Sequence, residues 1–195
     1  MTAAAGLFEA GGYTATSTRS IADQVGLRQA SLFHYFARKQ DILSELLDQT
    51  VRPTLEYVRR VALSDYDADV ALWLLVHTDV ANLCRGPHNL GALQLLPEAR
   101  HTEFEWFWRR RRQLFRIYTR QIARGMAEEL FLPADPLTTS EVVFGLVESV
   151  IMARPEFRKK STTPPVLASA ALRVCGVTPA RIRRASTALP YLDAR

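Results

Sequence analysis

The sequence predicts an all-α protein, and the spacing of its apolar residues carries that prediction. Apolar residues recur every three or four positions along most of the chain, as in Leu43, Leu46, Leu47 and Val51, which is the period of an amphipathic helix. The alternation of apolar and polar residues between paired turn signals that is typical of β-hairpins does not occur. With 195 residues, 48% of them hydrophobic, the chain is long enough to bury a sizeable core.

Three short helices are expected first. Gly11-Gly12 ends the first helix, and Ser17 can cap the second by accepting a hydrogen bond from a free amide of its first turn. Gly26 stands where the backbone needs a positive φ, so the second helix should stop there. After Leu27, a third helix should run from about Gln29 to Tyr35.

Prolines and glycines divide the rest of the chain into further helices. Pro53 should kink or end the fourth helix, because proline lacks the amide that a helix interior needs. Thr178-Pro179 is typical of an N-cap followed by proline at the first helical position. We expect nine or ten helices in all. The remaining expected elements are a short helix between Gly86-Pro87 and Pro97, a long helix from about Glu103 to Glu129, a loop at 132–137, and helices at about 139–152 and 164–174.

Residues 17–36, STRSIADQVGLRQASLFHYF, have the pattern of a helix-turn-helix. Small Ala22 lies where the two short helices would cross, and Gly26 lies at the turn. In such a motif the second helix enters the major groove of DNA. The pattern alone is equally compatible with an ordinary helical hairpin.

About fifty consecutive residues in this region resemble the TetR (tetracycline repressor) family of transcriptional regulators, whereas the later three quarters match only as a string of helices. The resemblance implies a three-helix helix-turn-helix DNA-binding domain at 1–50. It also implies a larger helical ligand-binding and dimerisation domain at 51–195. The matching residues are Ala4-Ala5-Gly-Leu-Phe8-Glu-Ala-Gly-Gly12-Tyr13, then Ser17, Ile21, Ala22, Gly26 and Leu27, then Ala30-Ser-Leu-Phe-His-Tyr-Phe36, and Lys39, Asp41, Ile42 and Leu43.

The resemblance also implies which side chains meet a double-stranded DNA operator. Arg28 and Gln29 are the best candidates for base edges, because a forked Arg suits guanine and a Gln amide suits adenine. Arg19 and Lys39 would contact phosphate, Lys39 with help from the positive end of its helix. Leu32 is expected to pack inward, as is Phe36. The DNA-binding candidates are Ser17, Arg19, Arg28, Gln29, Ser31, Phe33, His34, Tyr35 and Lys39.

Three departures from the family pattern bear on DNA binding. Phe33 replaces a tyrosine that many members have, so a hydroxyl for phosphate contact is missing. Arg28 replaces a small hydroxyl residue, so the third helix should lose its cap and gain a charge. The first helix begins close to the N-terminus, so little or no basic arm is expected. These departures keep an alternative open, namely a helical small-molecule-binding or protein-interaction module that no longer reads DNA.

Aromatic residues concentrate in the C-terminal part, where the family encloses its effector. The resemblance implies an apolar pocket for an unknown small-molecule effector. Aromatic side chains at helical spacing also form ordinary cores, so that interpretation stays open for each residue. The candidates for the pocket lining are Trp73, His77, Phe104, Phe107 and Tyr118.

The last helices are expected to form a homodimer. Members of the family build a four-helix interface there, and Gly145, Ser149 and the small residues at 168–171 would allow close approach of helices. A twofold dimer would place its two recognition helices about 34 Å apart, one turn of DNA, on a near-palindromic site.

The basic charge points to DNA only where it is locally concentrated. The net charge is +5, but residues 1–50 hold four basic and five acidic side chains. Within 19–39 the balance is four basic to one acidic, and this small patch supports DNA binding. Larger basic segments lie elsewhere, at 109–124 and at 154–184.

Four consecutive arginines, Arg109–Arg112, cover the whole circumference of a helix. They could form an anionic-ligand or DNA-backbone site. The favoured interpretation is a solvated or ion-paired surface with one or two arginines pointing inward. The expected acidic partners are Glu103, Glu105, Glu128 and Glu129.

The motifs of enzymes and of metal sites do not occur in the sequence. None of the four histidines has metal-ligand spacing, and no phosphate-binding glycine loop or nucleophile elbow is found. We therefore expect no catalytic residue, metal or cofactor. No apolar run reaches the roughly 18 residues of a membrane helix, and no basic segment typical of a signal peptide opens the chain. The expectation is a cytoplasmic, ligand-responsive regulator, most often a repressor in this family.

Overall fold

The computed structural model describes residues 1–61, 63–153 and 163–188, and the described residues form nine α-helices and four short 3-10 segments with no β-strand. The all-α prediction is confirmed. No helix in these parts of the chain is long and apolar enough to cross a membrane. The α-helices are α1 Thr2–Gly11, α2 Thr18–Gln24, α3 Gln29–Tyr35, α4 Lys39–Arg60, α5 Ala68–Leu83, α6 Glu105–Ala127, α7 Pro136–Met152, α8 Thr163–Val174 and α9 Pro179–Ser186. The 3-10 segments are Leu63–Asp65, Leu90–Leu95, Pro97–Arg100 and Thr102–Phe104.

The turn between α2 and α3 forms as the sequence predicts. The Ser17 side chain accepts from the Ser20 backbone N–H at 2.9 Å, and the Ser20 hydroxyl in turn accepts from the Ser17 N–H. Gly26 has φ 68°, a conformation in which a side chain would be strained. Arg28 is the N-cap of α3 and makes no side-chain capping bond, as expected from its replacement of a small hydroxyl residue.

Helix α4 continues past Pro53, so of the two expected alternatives, a kink or an end, the end does not occur. Proline at position 53 cannot donate to the carbonyl of Gln49 four residues earlier. The Asn82 side chain, which comes from α5, donates to that carbonyl at 3.2 Å and to the neighbouring Thr50 carbonyl at 2.9 Å. A tertiary donor therefore replaces the missing helical one, and α4 runs across residue 50, where the two domains were expected to meet.

Helix α5 is the centre of the larger part of the fold. It is apolar around its whole circumference, and α4, α6, α7, α8 and α9 all pack against it, as expected for a helix with no solvent-facing side. Its buried N-terminal Asp69 is paired by Arg181 of α9 at 2.7 Å.

Two later helix boundaries show what capping does. α7 begins inside the expected loop, because Asp135 accepts from the Thr138 N–H at 2.6 Å and Pro136 fits the first helical position. Thr178 occupies the N-cap of α9 as predicted, although its side chain makes no capping bond. Part of the basic segment 154–184 and the end of the domain expected at 51–195 lie outside the described residues.

Candidate nucleic-acid interface

Helix α3 turns one face inward and exposes the other. Leu32 is buried and Phe36 packs against the core, which confirms the expected packing role of both. Phe33 and Tyr35 are exposed, Tyr35 by 76%. This outer face is accessible, and its contact with DNA stays a prediction.

The two side chains expected at base edges differ in their freedom. The Arg28 guanidinium is exposed and forms no ion pair or hydrogen bond with any described residue. Gln29 donates its amide N–H to the Thr18 hydroxyl at 2.8 Å. The second N–H and the oxygen of the amide remain for adenine, so this bond and a two-point contact with the base are compatible. Ser31 is half-buried and His34 is exposed on the same helix.

Part of the basic patch is neutralised by neighbouring carboxylates. Arg19 lies 4.0 Å from Asp23 with both side chains exposed, and Arg38 pairs with Asp41 at 2.9 Å. Exposed pairs of this kind contribute little to stability, so a phosphate can replace the carboxylate at small cost. Arg28 is thus the cation most ready for a new partner.

Lys39 has an intramolecular role that the sequence did not reveal. Its ammonium donates to the carbonyls of Tyr13 and Thr16, both at 2.8 Å, and to that of Thr14 at 3.4 Å. The same nitrogen lies 4.2 Å from the centre of the Tyr13 ring. The three N–H donors of the lysine therefore hold the loop between α1 and α2, and its contact with phosphate stays a prediction.

The five side chains expected around an effector lie mostly in the core. Trp73 stacks on His77 with ring centres 5.0 Å apart, and its indole N–H donates to the Ser169 hydroxyl at 3.3 Å. Phe104, Phe107 and Tyr118 are at most 1% exposed, and His77 is the one member with accessible surface. Contact of this set with an effector stays a prediction.

A buried polar network surrounds Asp79, which sequence reasoning missed. The hydroxyls of Thr54 and Tyr118 donate to the two Asp79 oxygens at 3.0 and 2.9 Å. Burial raises the pKa of Asp79 above its ordinary value, and the positive charge of Arg111 opposes the rise. An aspartate in the apolar sequence WLLVHTDVANL was the available signal, since a buried charge needs partners.

The four consecutive arginines point in four directions. Arg111 is buried, pairs with Glu148 and lies over the Phe144 ring. Arg110 pairs with Asp48, and Arg112 pairs with Glu105. The ion-paired interpretation is confirmed for these three, but of the four expected acidic partners only Glu105 pairs with one of them. Arg109 is exposed and forms no pair within the described chain.

The described residues contain neither an exposed cysteine nor a cluster of metal-binding side chains. Cys84 and Cys175 are both buried, and burial raises the pKa of the Cys175 thiol to about 12. Across the described ranges, no three His, Cys, Asp or Glu side chains gather as metal ligands.

A helix-turn-helix carried on a larger helical body defines a class, the DNA-binding regulators. Residues 1–46 match the bacterial regulatory proteins, tetR family, and the chain belongs to that family. A 75-residue segment is 35% identical to the HTH-type transcriptional repressor KstR2 of Rhodococcus jostii strain RHA1. The match covers 38% of this chain and 37% of that repressor's length.

Solved structures match over nearly the whole chain. The crystal structure of Mycobacterium smegmatis AmtR is 41% identical, covers 95% of this chain and 89% of its own, and has a TM-score of 0.82. AibR, solved in complex with isovaleryl coenzyme A and operator DNA, is 18% identical, with 91% and 95% coverage and a TM-score of 0.69. The likeness to AibR concerns the fold alone.

Proposed function

We propose that the protein is a dimeric, ligand-responsive transcriptional repressor that reads a near-palindromic operator with α3. The observation that carries this proposal is the exposed face of α3 with unpaired Arg28 at its start. Residues 1–50 would bind DNA, and the remainder would bind the effector and dimerise. Such a protein acts by binding rather than catalysis, in the cytoplasm, where its operator lies.

The DNA contacts follow from position along the motif. Arg28, Gln29, Ser31 and His34 would reach into the major groove, Arg28 as the base reader with a free guanidinium. Phosphate contacts would come from the ends of the motif, which fix the register of the helix on DNA without reading sequence. This second set is Ser17, Arg19, Phe33, Tyr35 and Lys39, with Phe33 limited to apolar contact.

Dimerisation through α7 and α8 is supported by exposed apolar side chains on both helices. Val142 and Met152 of α7 and Val166 of α8 are each more than half exposed. A Cβ added at Gly145 would meet no atom of the described chain, so a second helix could approach closely there. Sedimentation at micromolar concentration should give a dimer, and a monomer would contradict this part of the proposal.

The decisive experiment measures DNA binding directly. An unbiased selection from random duplexes, followed by fluorescence anisotropy, should yield a near-palindromic site. Arg28→Ala should weaken binding to it by about 5- to 150-fold, the range for loss of one bidentate base contact. Arg183→Ala is the matched control, because Arg183 is an exposed arginine of α9 with no ion pair in the described chain.

The same experiment distinguishes the proposed regulator from the alternative, a helical module that does not recognise DNA. A protein that binds all duplexes equally, or an Arg28→Ala variant that binds the selected site as tightly as the wild type, would refute the proposal. The match to the repressor KstR2 and the family match of residues 1–46 support recognition of DNA, and AibR, solved with isovaleryl coenzyme A and operator DNA, has the same fold.

A further inference from the structure

A large groove lies along one face of α6, closed at its side by Val58 near the end of α4 and by Leu63 of the following 3-10 segment. Its volume is about 1020 Å³, at the upper end of what ligand sites occupy. Five arginines line it, and their spacing of 7, 4 and 4 residues from Arg109 onward places most of them along one helical stripe. We call it the arginine groove, lined by Arg109, Arg110, Arg116, Arg120 and Arg124.

Three of these arginines keep donors for a ligand. Arg109 and Arg120 form no ion pair or hydrogen bond with any described residue, and Arg116 uses only its Nε, which donates to the Arg112 carbonyl at 3.2 Å. Arg124 is held by two carbonyls at the 3-10 segment that follows α4. Unpaired guanidinium groups along one stripe repel each other, and an anion between them would remove that cost.

Besides the arginines, four apolar side chains and the amide side chains of Gln113 and Gln121 line the arginine groove. The apolar side chains are those of Val58, Leu63, Trp106 and Ile117. Gln121 is only 7% exposed and carries a buried side-chain oxygen without a hydrogen-bond partner in the described chain.

We propose that the arginine groove is the effector site and takes an organic anion, an apolar chain or ring carrying a phosphate or carboxylate group. The inference rests on the proposed function and specifies the chemical class of its effector. The arginines would bind the anionic group, and the apolar side chains would bind the remainder. This site is separate from the aromatic core set around Trp73 and Tyr118.

Arg110 connects the arginine groove to the DNA-binding part. It pairs with Asp48 of α4, which also pairs with Arg52 at 3.0 Å. Together with Trp106, it lines a second cavity of about 430 Å³ that reaches Phe36, directly after α3. An anion that binds Arg110 in place of Asp48 would therefore remove an ion pair between α6 and α4, the helix that directly follows the helix-turn-helix.

Calorimetric titration of the full-length protein tests the site with three probes. Octyl phosphate below its micelle concentration should bind. Octyl glucoside, with the same chain and no charge, and inorganic phosphate, with no chain, should each bind at least tenfold more weakly. Equal affinity for octyl glucoside, or for inorganic phosphate, would overturn the assignment of an amphiphilic anion site.

Two pairs of charge-matched variants locate the binding. Arg116→Gln with Arg120→Gln should weaken octyl phosphate at least tenfold, whereas Arg173→Gln with Arg183→Gln, exposed arginines of α8 and α9, should not. Asp48→Asn should strengthen binding at least threefold by releasing Arg110. Its control is Glu141→Gln, an exposed glutamate of α7. Equal octyl phosphate affinity in the two double variants would refute binding in the arginine groove. Equal affinity in Asp48→Asn and Glu141→Gln would refute the coupling between the groove and Asp48.

The outcome separates this inference from the proposed function, because the titration contains no DNA. Octyl phosphate binding that responds to the groove substitutions supports the site even if no operator is found. Sequence-specific DNA binding together with unaltered octyl phosphate affinity in Arg116→Gln/Arg120→Gln overturns the site and leaves the regulator intact.

Discussion

Replacing Lys39 by methionine should destabilise the protein in the absence of DNA. The ammonium makes two hydrogen bonds of 2.8 Å to the carbonyls of Tyr13 and Thr16, a longer one to Thr14, and a cation–π contact with the Tyr13 ring. Methionine keeps most of the apolar stem and removes every donor. Lys39→Met therefore isolates the polar contacts of this side chain.

The expected loss is about 2–3 kcal/mol of unfolding free energy. A hydrogen bond to a charged group contributes about 1.5–3 kcal/mol and a partly exposed cation–π contact about 0.5–1 kcal/mol. The sum is reduced because Thr14 is exposed and water can reach part of the loop once the lysine is gone. The figure for the substitution is therefore nearer to one strong bond than to three.

Urea unfolding followed by circular dichroism, at one fixed protein concentration, measures this loss. Arg28→Met is the matched control, since it removes a cation that has no partner among the described residues, and its stability should stay within about 0.5 kcal/mol of wild type. If Lys39 contacted only phosphate, Lys39→Met would unfold like the wild type and would lower the salt slope of DNA binding by about 0.9. That result would refute the bracing role.

Two further predictions concern the buried polar groups of the larger domain. Asn82→Ala leaves the Gln49 carbonyl without a donor, whereas the Thr50 carbonyl keeps the Thr54 N–H of the helix, and the change should cost about 1–3 kcal/mol. Urea unfolding measures it, and a stability equal to wild type would contradict the account of α4. Burial raises the pKa of Asp79 above 3.8, so its stabilising contribution is present at low pH and is lost as the pH rises through the folded value. The unfolding free energy of wild type minus that of Asp79→Asn should fall as the pH rises from about 4; a difference independent of pH would contradict this.

The helices that the sequence predicted well are those whose ends are set locally. Ser17, Gly26 and Pro179 act on the backbone within a few residues of themselves, so their effect can be read without the fold. Pro53 also acts locally, but its missing bond is replaced by Asn82, 29 residues further along. A local rule thus predicts that proline leaves a carbonyl without its helical donor, but it cannot predict which distant side chain supplies the replacement.

Among the candidate functional side chains, too, the sequence predicted those whose position depends on local helix geometry and missed the contacts that depend on tertiary packing. The motif identified α3 and its outer face because helix periodicity decides which residues can point away from the core. It could not show that Lys39 is engaged by three carbonyls, because those come from a loop whose path is set by packing. The spacing of Arg109, Arg116 and Arg120 was visible, but only the position of α4 makes a groove of it.

The contacts between the first 50 residues and the rest are of two kinds. Leu46, Leu47 and Val51 of α4 are fully buried, and separating such a face would cost about 1.5–3 kcal/mol for each side chain. At the rim, Glu9 meets His88 at 2.8 Å and the Thr14 hydroxyl donates to Glu98 at 2.6 Å.

The free energies of these rim contacts are similar to the coupling free energy that regulation of DNA binding requires. Exposed polar pairs contribute about 0–1 kcal/mol each, and a tenfold change in operator affinity needs only about 1.4 kcal/mol of coupling. Exchange of one or two such contacts between the free and ligand-bound states is therefore sufficient, and the buried face of α4 need not open. The pair formed by Asp48 and Arg110 borders the arginine groove and is less exposed than the rim contacts, because the Asp48 side chain is only 13% accessible. An anion that takes Arg110 from Asp48 would therefore change one contact between α6 and α4 while the core stays packed.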